Sequence, residues 1–258
     1  MIFYFSATGN SLWVARELAR EFGGTQVSVA EALRAGRTTY RLGAAERVFL
    51  VFPVHAWGPA VLAERFIGRL TLEGYDGQEV YLVCVCGDDC GRADRLARRA
   101  LARRGIALTG AFSIQMPNTY ILLPGFDVDA DAVAAAKLRA APGRLGEIIR
   151  SVREGRPSAA LYERGAAAWL KTYLVRPLFI RFLMGRGARF RATGACVSCG
   201  LCARVCPTGN IALADDGRPR WGDACVRCLA CVHRCPARAV EYGKATERKG
   251  RYRHPGLE

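Results

Sequence analysis

At 258 residues the chain has room for one medium-sized domain and one small module. Its 51% hydrophobic content excludes a disordered chain, and no apolar run reaches the length of a membrane span. The net charge of +15 points to acidic partners or an anionic surface. Nucleic acid is not expected, because the arginines are spread along the chain and no nucleic-acid-binding motif accompanies them.

The first 155 residues alternate strand-like and helix-like stretches. Residues 1–5 are a short apolar run with no basic and apolar leader before it, so the expected location is the cytoplasm. Residues 12–22 carry helical spacing through Leu12, Ala15, Leu18, Ala19 and Phe22. Residues 48–53 and 80–86 are continuous apolar runs, as strands buried on both faces require. Helices are predicted over 60–70, 93–104 and 131–153, and a strand over 108–116 completes a five-stranded parallel sheet. The fold class is therefore α/β, a doubly wound sheet with helices on both faces.

Directly after the first strand comes Ser6-Ala7-Thr8-Gly9-Asn10-Ser11, leading into a helix. Three hydroxyls and a run of backbone N–H groups at a helix start make an anion cradle. The loop has no lysine and no Gly-x-Gly-x-x-Gly, so it suits a terminal monophosphate better than a nucleoside triphosphate or a dinucleotide. Cys84 lies inside an apolar strand and reads as core; Cys86 and Cys90 read as small loop residues, with a regulatory dithiol as the alternative.

A basic linker follows, 156–190. Leu170, Leu174, Leu178 and Phe182 recur every four residues beside Trp169, Tyr173 and Phe179, interleaved with Arg164, Lys171, Arg176, Arg181, Arg186, Arg189 and Arg191. Pro177 predicts two short helices in place of one. The apolar stripe is expected to pack between the domains and set their distance. Contact with a membrane surface or an acidic partner is the other reading.

In the segment 191–243, eight cysteines form two copies of Cys-x2-Cys-x2-Cys-x3-Cys-Pro. They are Cys196, Cys199, Cys202 and Cys206, then Cys225, Cys228, Cys231 and Cys235, each 29 positions after its counterpart (225 − 196 = 29). This is the two-cluster ferredoxin spacing, in which the fourth cysteine of each run serves the other 4Fe-4S cluster. Cys196, Cys199, Cys202 and Cys235 are thereby assigned to one centre, and Cys225, Cys228, Cys231 and Cys206 to the other. Zinc knuckles pair two Cys-x2-Cys units across a longer gap, so the third cysteine and the Cys-Pro endings argue against zinc. The tail 244–258 is basic and turn-rich and is expected to fold back over one of the domains.

The order of Tyr4-Phe5-Ser6-Ala7-Thr8-Gly9-Asn10-Ser11, Phe52-Pro53-Val54-His55-Ala56-Trp57-Gly58, Met116-Pro117-Asn118, the two cysteine runs and Arg251-Tyr252 resembles the flavodoxin–ferredoxin fusion proteins. The resemblance implies a flavodoxin-like domain over 1–155 with FMN held by three strand-end loops. Ser6, Ala7, Thr8, Gly9, Asn10 and Ser11 would take the phosphate. Pro53, Val54, His55, Ala56, Trp57 and Gly58 would border the isoalloxazine, with Trp57 stacking, His55 nearby as a polar contact or proton donor, and Gly58 permitting a peptide rearrangement. Cys86, Gly87 and Asp88 would form the other wall. That last loop carries no aromatic residue, which departs from flavodoxin habit and implies a ring open on one side.

Taken together, these features describe a cytoplasmic iron–sulfur flavoprotein that relays electrons between two 4Fe-4S clusters and FMN, acting as a carrier between acidic redox partners. The alternatives are an FMN-dependent reductase acting on a small acceptor and a redox sensor in which cluster state controls a basic surface.

Overall fold

The computed structural model describes residues 1–183 and 189–257; Arg186 of the basic linker lies outside the described residues. The N-terminal part runs β1 (Ile2–Tyr4), α1 (Asn10–Phe22), β2 (Gln26–Ser28), α2 (Val29–Arg34), β3 (Thr39–Arg41), β4 (Val48–Pro53), α3 (Val61–Ile67), β5 (Thr71–Glu73), β6 (Val80–Cys86), α4 (Ala93–Ala102), β7 (Gly110–Gln115) and α5 (Asp131–Arg153). Five of these strands form one parallel sheet in the order β2-β1-β4-β6-β7, the flavodoxin-like doubly wound topology. β3 and β5 pair separately as a short parallel ribbon that the apolar patterning does not announce.

Strand alternation divides the sheet's side chains between two cores. Leu50, Phe52, Leu82 and Cys84 face α2, α3 and α4, whereas Phe49, Val51, Tyr81 and Val83 face α1 and α5. On the second face Phe22, Phe49, Tyr81 and Phe112 stack in sequence, at 5.1, 5.7 and 5.9 Å between ring centroids. Chain connections leave β1 and β4 in opposite directions, so a crevice opens at their carboxyl ends, between the loops after Tyr4 and Pro53.

The linker is one helical run, contrary to the two helices that Pro177 suggests. α6 (Ala168–Leu170) passes through a π-helical turn, Lys171–Val175, into α7 (Arg176–Leu183). The Arg176 N–H donates to the Lys171 carbonyl, one register wider than an α-helical bond. That widened turn ends just ahead of Pro177, whose ring has no N–H to give.

The C-terminal module consists of β8 (Phe190–Ala192), α8 (Leu201–Arg204), β9 (Ile211–Leu213), β10 (Pro219–Trp221), α9 (Ala230–His233) and β11 (Val240–Tyr242). β8 pairs antiparallel with β11, and β9 with β10. The duplication extends to the backbone. Left-handed φ values occur at Ser198 (52°) and Arg227 (49°), at Gly200 (69°) and Leu229 (63°), and at Gly209 (62°) and Arg238 (48°). Non-glycine residues seldom adopt this conformation, so its recurrence at the same offset as the cysteines marks loops wound to aim backbone N–H groups at one point.

The tail folds back onto the N-terminal domain. Lys249 Nζ donates to the carbonyls of Ile121 and Phe126, the His254 N–H to the Thr8 carbonyl at 2.8 Å, and the Tyr252 hydroxyl to Asn10 Oδ1 at 2.7 Å.

Candidate functional site

A cavity of about 510 Å³ occupies the crevice at the strand ends. Ser6, Ala7, Thr8, Asn10, Ser11, Pro53, Val54, His55, Ala56, Trp57, Cys86, Gly87 and Asp88 all line it, so the fold brings the three strand-end loops together. Gly9 and Gly58 belong to the same loops without lining the cavity themselves. Gly9 (φ 106°) turns its Cα toward the tail, where a Cβ would stand 2.6 Å from the His254 Cβ. Gly58 packs against Arg176.

The first loop has the makings of an anion site. α1 begins at Asn10 with no side-chain cap and no acidic residue in its first turn, leaving its positive end to the cavity. The Ser6 hydroxyl accepts the Gly9 N–H at 3.1 Å, and Thr8 and Ser11 are buried. The Asn10 amide is otherwise engaged: it donates to the Pro117 carbonyl at 3.0 Å and accepts from Tyr252.

Linker contacts hold the second loop. Ala56 (φ 48°) and Trp57 (φ 58°) carry its left-handed turn, not Gly58. The Thr172 hydroxyl donates to the Trp57 carbonyl at 2.9 Å, which opposes the peptide rearrangement expected at Gly58. Arg176, buried in the linker helix, donates to the carbonyls of His55 (2.8 Å) and Pro59 (3.0 Å) and pairs with Glu64 (2.8 Å). Lys171 Nζ sits 5.4 Å from the Trp57 ring centroid and pairs with Asp89 at 2.7 Å. Burial, with the Arg176 charge beside it, lowers the His55 pKa to about 4. The imidazole is therefore neutral near pH 7, which counts against a role as a strong acid.

On the third wall, Cys86 and the Gly87 backbone lie beside Asn118. The missing aromatic comes from elsewhere: Tyr120 and Phe126 from the segment after β7, and Phe179 from the linker. Tyr120 packs edge-on against both, at 5.6 and 5.8 Å. Its hydroxyl is buried without a hydrogen-bond partner among the described residues, and burial pushes its pKa up to about 12. Tyr120 and Phe126 follow a strand end, a position that could have drawn notice; Phe179 is placed by packing alone. Cys90 lies with Cys84 and Cys86, fully buried behind this wall.

Val226, Arg227, Cys228 and Leu229 of the C-terminal module close the remaining side. Val226 and Cys228 join the apolar core of the N-terminal domain. Cys206, Cys225, Cys228 and Cys231 surround a second, small cavity, and Cys196, Cys199, Cys202 and Cys235 a third. Cys228 therefore borders both the main cavity and a four-thiol site. Backbone N–H groups of Asn210, Arg227 and Ala239 donate to the sulfurs of Cys206, Cys225 and Cys235 at 3.2, 3.4 and 3.3 Å. Among the described residues no three acidic, His or Cys side chains close on a point where one metal ion would fit. Two separated tetrads around small voids suit a cubane better than a single ion. Burial pushes the Cys228 thiol up to about 12, so a thiolate there requires a cationic partner.

His233 ties this module to the cavity wall. Its Nε2–H donates to the Thr119 carbonyl at 2.8 Å, and its Nδ1 accepts the Tyr252 N–H at 3.2 Å.

Residues 195–240 match the family model described as a 4Fe-4S dicluster domain, so this segment is an iron–sulfur domain. Nothing among the curated proteins matches the chain. Solved structures similar to it include the Trp repressor binding protein from Bacillus subtilis, at 11% identity over 56% of this chain and 96% of that one, TM-score 0.32. Two azoreductases are similar at the same TM-score of 0.32: AzrA, at 13% identity over 57% of this chain and 99% of that one, and an azoreductase from Bacillus anthracis str. Sterne, at 11% over 60% and 95%. At such scores the likeness carries no weight, and the fold stands on its strand order.

Proposed function

We propose that this chain relays electrons between two 4Fe-4S clusters and FMN, serving as a carrier between acidic redox protein partners. One observation carries the reading: Cys228, a cluster-type cysteine, lines the same cavity as the three strand-end loops. When bound, the clusters supply one-electron and the flavin one- or two-electron redox chemistry.

Cys206, Cys225, Cys228 and Cys231 would hold the cluster nearer the cavity; Cys196, Cys199, Cys202 and Cys235 would hold the farther one. Ser6, Ala7, Thr8 and Ser11 would take the phosphate at the uncapped start of α1. Trp57, Tyr120, Phe126 and Phe179 give the cavity apolar, aromatic walls suited to a flat ring. Two buried polar atoms on these walls, the Tyr120 hydroxyl and Arg227 Nε, have no partner among the described residues. They fit a ligand that accepts hydrogen bonds. The linker and the tail pin the loops, exclude water and keep the iron–sulfur module docked.

Anaerobic purification followed by flavin release and an iron assay tests this. The expected result is stoichiometric FMN with iron for two clusters, and flavin reduction through the clusters at a rate independent of protein concentration. Clusters without flavin would overturn it.

A further inference from the structure

The helical run that walls the cavity presents an apolar ridge to solvent. Trp169, Leu170, Leu174, Leu178 and Phe182 are 58, 45, 52, 50 and 54% exposed. Their four-residue spacing puts the last four along one side of the helix. This reverses the expectation that the stripe packs between the domains. The reason is polar: Thr172 and Arg176 occupy the opposite side and are buried, at 2 and 3% exposure, by their bonds to Trp57, His55, Pro59 and Glu64. Turning the ridge inward would break all of these.

The charge around the ridge has one sign. No Asp or Glu occurs between Glu163 and Asp215. The acids of neighbouring elements are already paired, Asp89 with Lys171, Asp94 with Arg164 and Glu64 with Arg176. Arg181 is exposed on the helix itself and Arg189 beyond it, and Arg99 of α4 lies over the Tyr173 ring at 5.7 Å, whereas Arg191 is paired with Glu247. A ridge of Leu, Phe and Trp beside Arg99, Arg181 and Arg189, which pair with no acid among the described residues, matches the two layers of an anionic bilayer surface, acyl chains beneath phosphates. A second copy of this chain, itself at +15, would set arginine against arginine. A purely acidic protein surface would leave the ridge in water.

We propose that this ridge is a membrane-surface contact, laid into the headgroup region of an anionic phospholipid bilayer. No helix among the described residues is long and apolar enough to cross a membrane, so the contact is peripheral. It places the outer side of the cavity-walling helix on the lipid surface, and it does not depend on which cofactor the cavity holds.

Vesicle flotation of the full chain tests it, using phosphatidylcholine vesicles with and without about a quarter phosphatidylglycerol. The unaltered chain should float with the anionic vesicles and not with the neutral ones. The double variant Leu174→Glu/Leu178→Glu should partition about tenfold more weakly or worse, with its thermal unfolding midpoint retained, because both sites already face water. Val133→Glu, equally exposed but on α5, should partition like the parent. Equal binding by parent and double variant would overturn the proposal in favour of bulk charge alone. Absence of flotation, together with self-association that the double variant abolishes, would overturn it in favour of a second copy.

Discussion

The guanidinium of Arg176 rests on Gly58, so close that a Cβ at that position would stand 2.3 Å from Nε and 2.5 Å from Cζ. The glycine is required for the approach of the linker, not for a left-handed backbone, since its φ is not positive. Gly58→Ala should therefore expel Arg176 from His55, Pro59 and Glu64 and release the helix from the cavity. The expected cost is about 2–4 kcal/mol in chemical denaturation, with faster proteolysis of the 156–183 segment. An unchanged midpoint would refute this role.

The grouping of the thiols predicts two different lesions. Cys235→Ser should remove the cluster of Cys196, Cys199 and Cys202, and Cys206→Ser the one beside the cavity. Each variant should lose about half of the iron. Only Cys206→Ser should cut the rate of intramolecular flavin reduction severely, because it empties the site that Cys228 shares with the cavity. Rapid-mixing spectroscopy on both variants distinguishes them.

Tyr120→Phe should act in opposite directions on the empty and loaded protein. Without ligand, the buried hydroxyl has no partner among the described residues, so its removal should raise stability by about 1 kcal/mol. With flavin, the loss of a hydrogen-bond donor should weaken binding by about five- to tenfold. Paired unfolding and flavin-titration experiments read the two signs separately.

Stability should fall with acid in a way that His55 controls. Its folded pKa is about 4, below the ordinary 6.5, so between these values the unfolded chain binds the proton first. Stability is then full above about pH 6.5 and declines toward pH 4, by at most about 1.4 kcal/mol per pH unit from this residue. Urea midpoints at pH 7 and pH 5 should differ less in His55→Gln than in the parent. His233, lowered to about 4 by burial as well, leaves some slope in the variant.

Much of this architecture was legible along the chain, for reasons that differ by element. β4 and β6 announce themselves because strands buried on both faces must be apolar throughout. β2 escaped notice because it is a three-residue edge strand, Gln26–Ser28, whose side chains are half-buried or exposed. The cysteine runs are readable because three ligands of each tetrad sit on one short loop, and the duplication repeats even the left-handed residues that wind it.

Spacing along the chain settled what is local: which residues alternate, which loop can cradle an anion, which thiols repeat. Packing in three dimensions settled which way the linker faces and what completes the cavity. Tyr120, Phe126, Phe179 and Cys228 line one cavity although 108 positions separate the first from the last (228 − 120 = 108). The four-residue apolar stripe was visible, but its outward direction was not. That direction depends on Thr172 and Arg176 finding acceptors in the Trp57, His55 and Pro59 carbonyls, and those acceptors exist only once the second loop is folded. A charge that finds several hydrogen-bond partners can be buried at the expense of leucines left in water, and one-dimensional periodicity has no means of counting those partners.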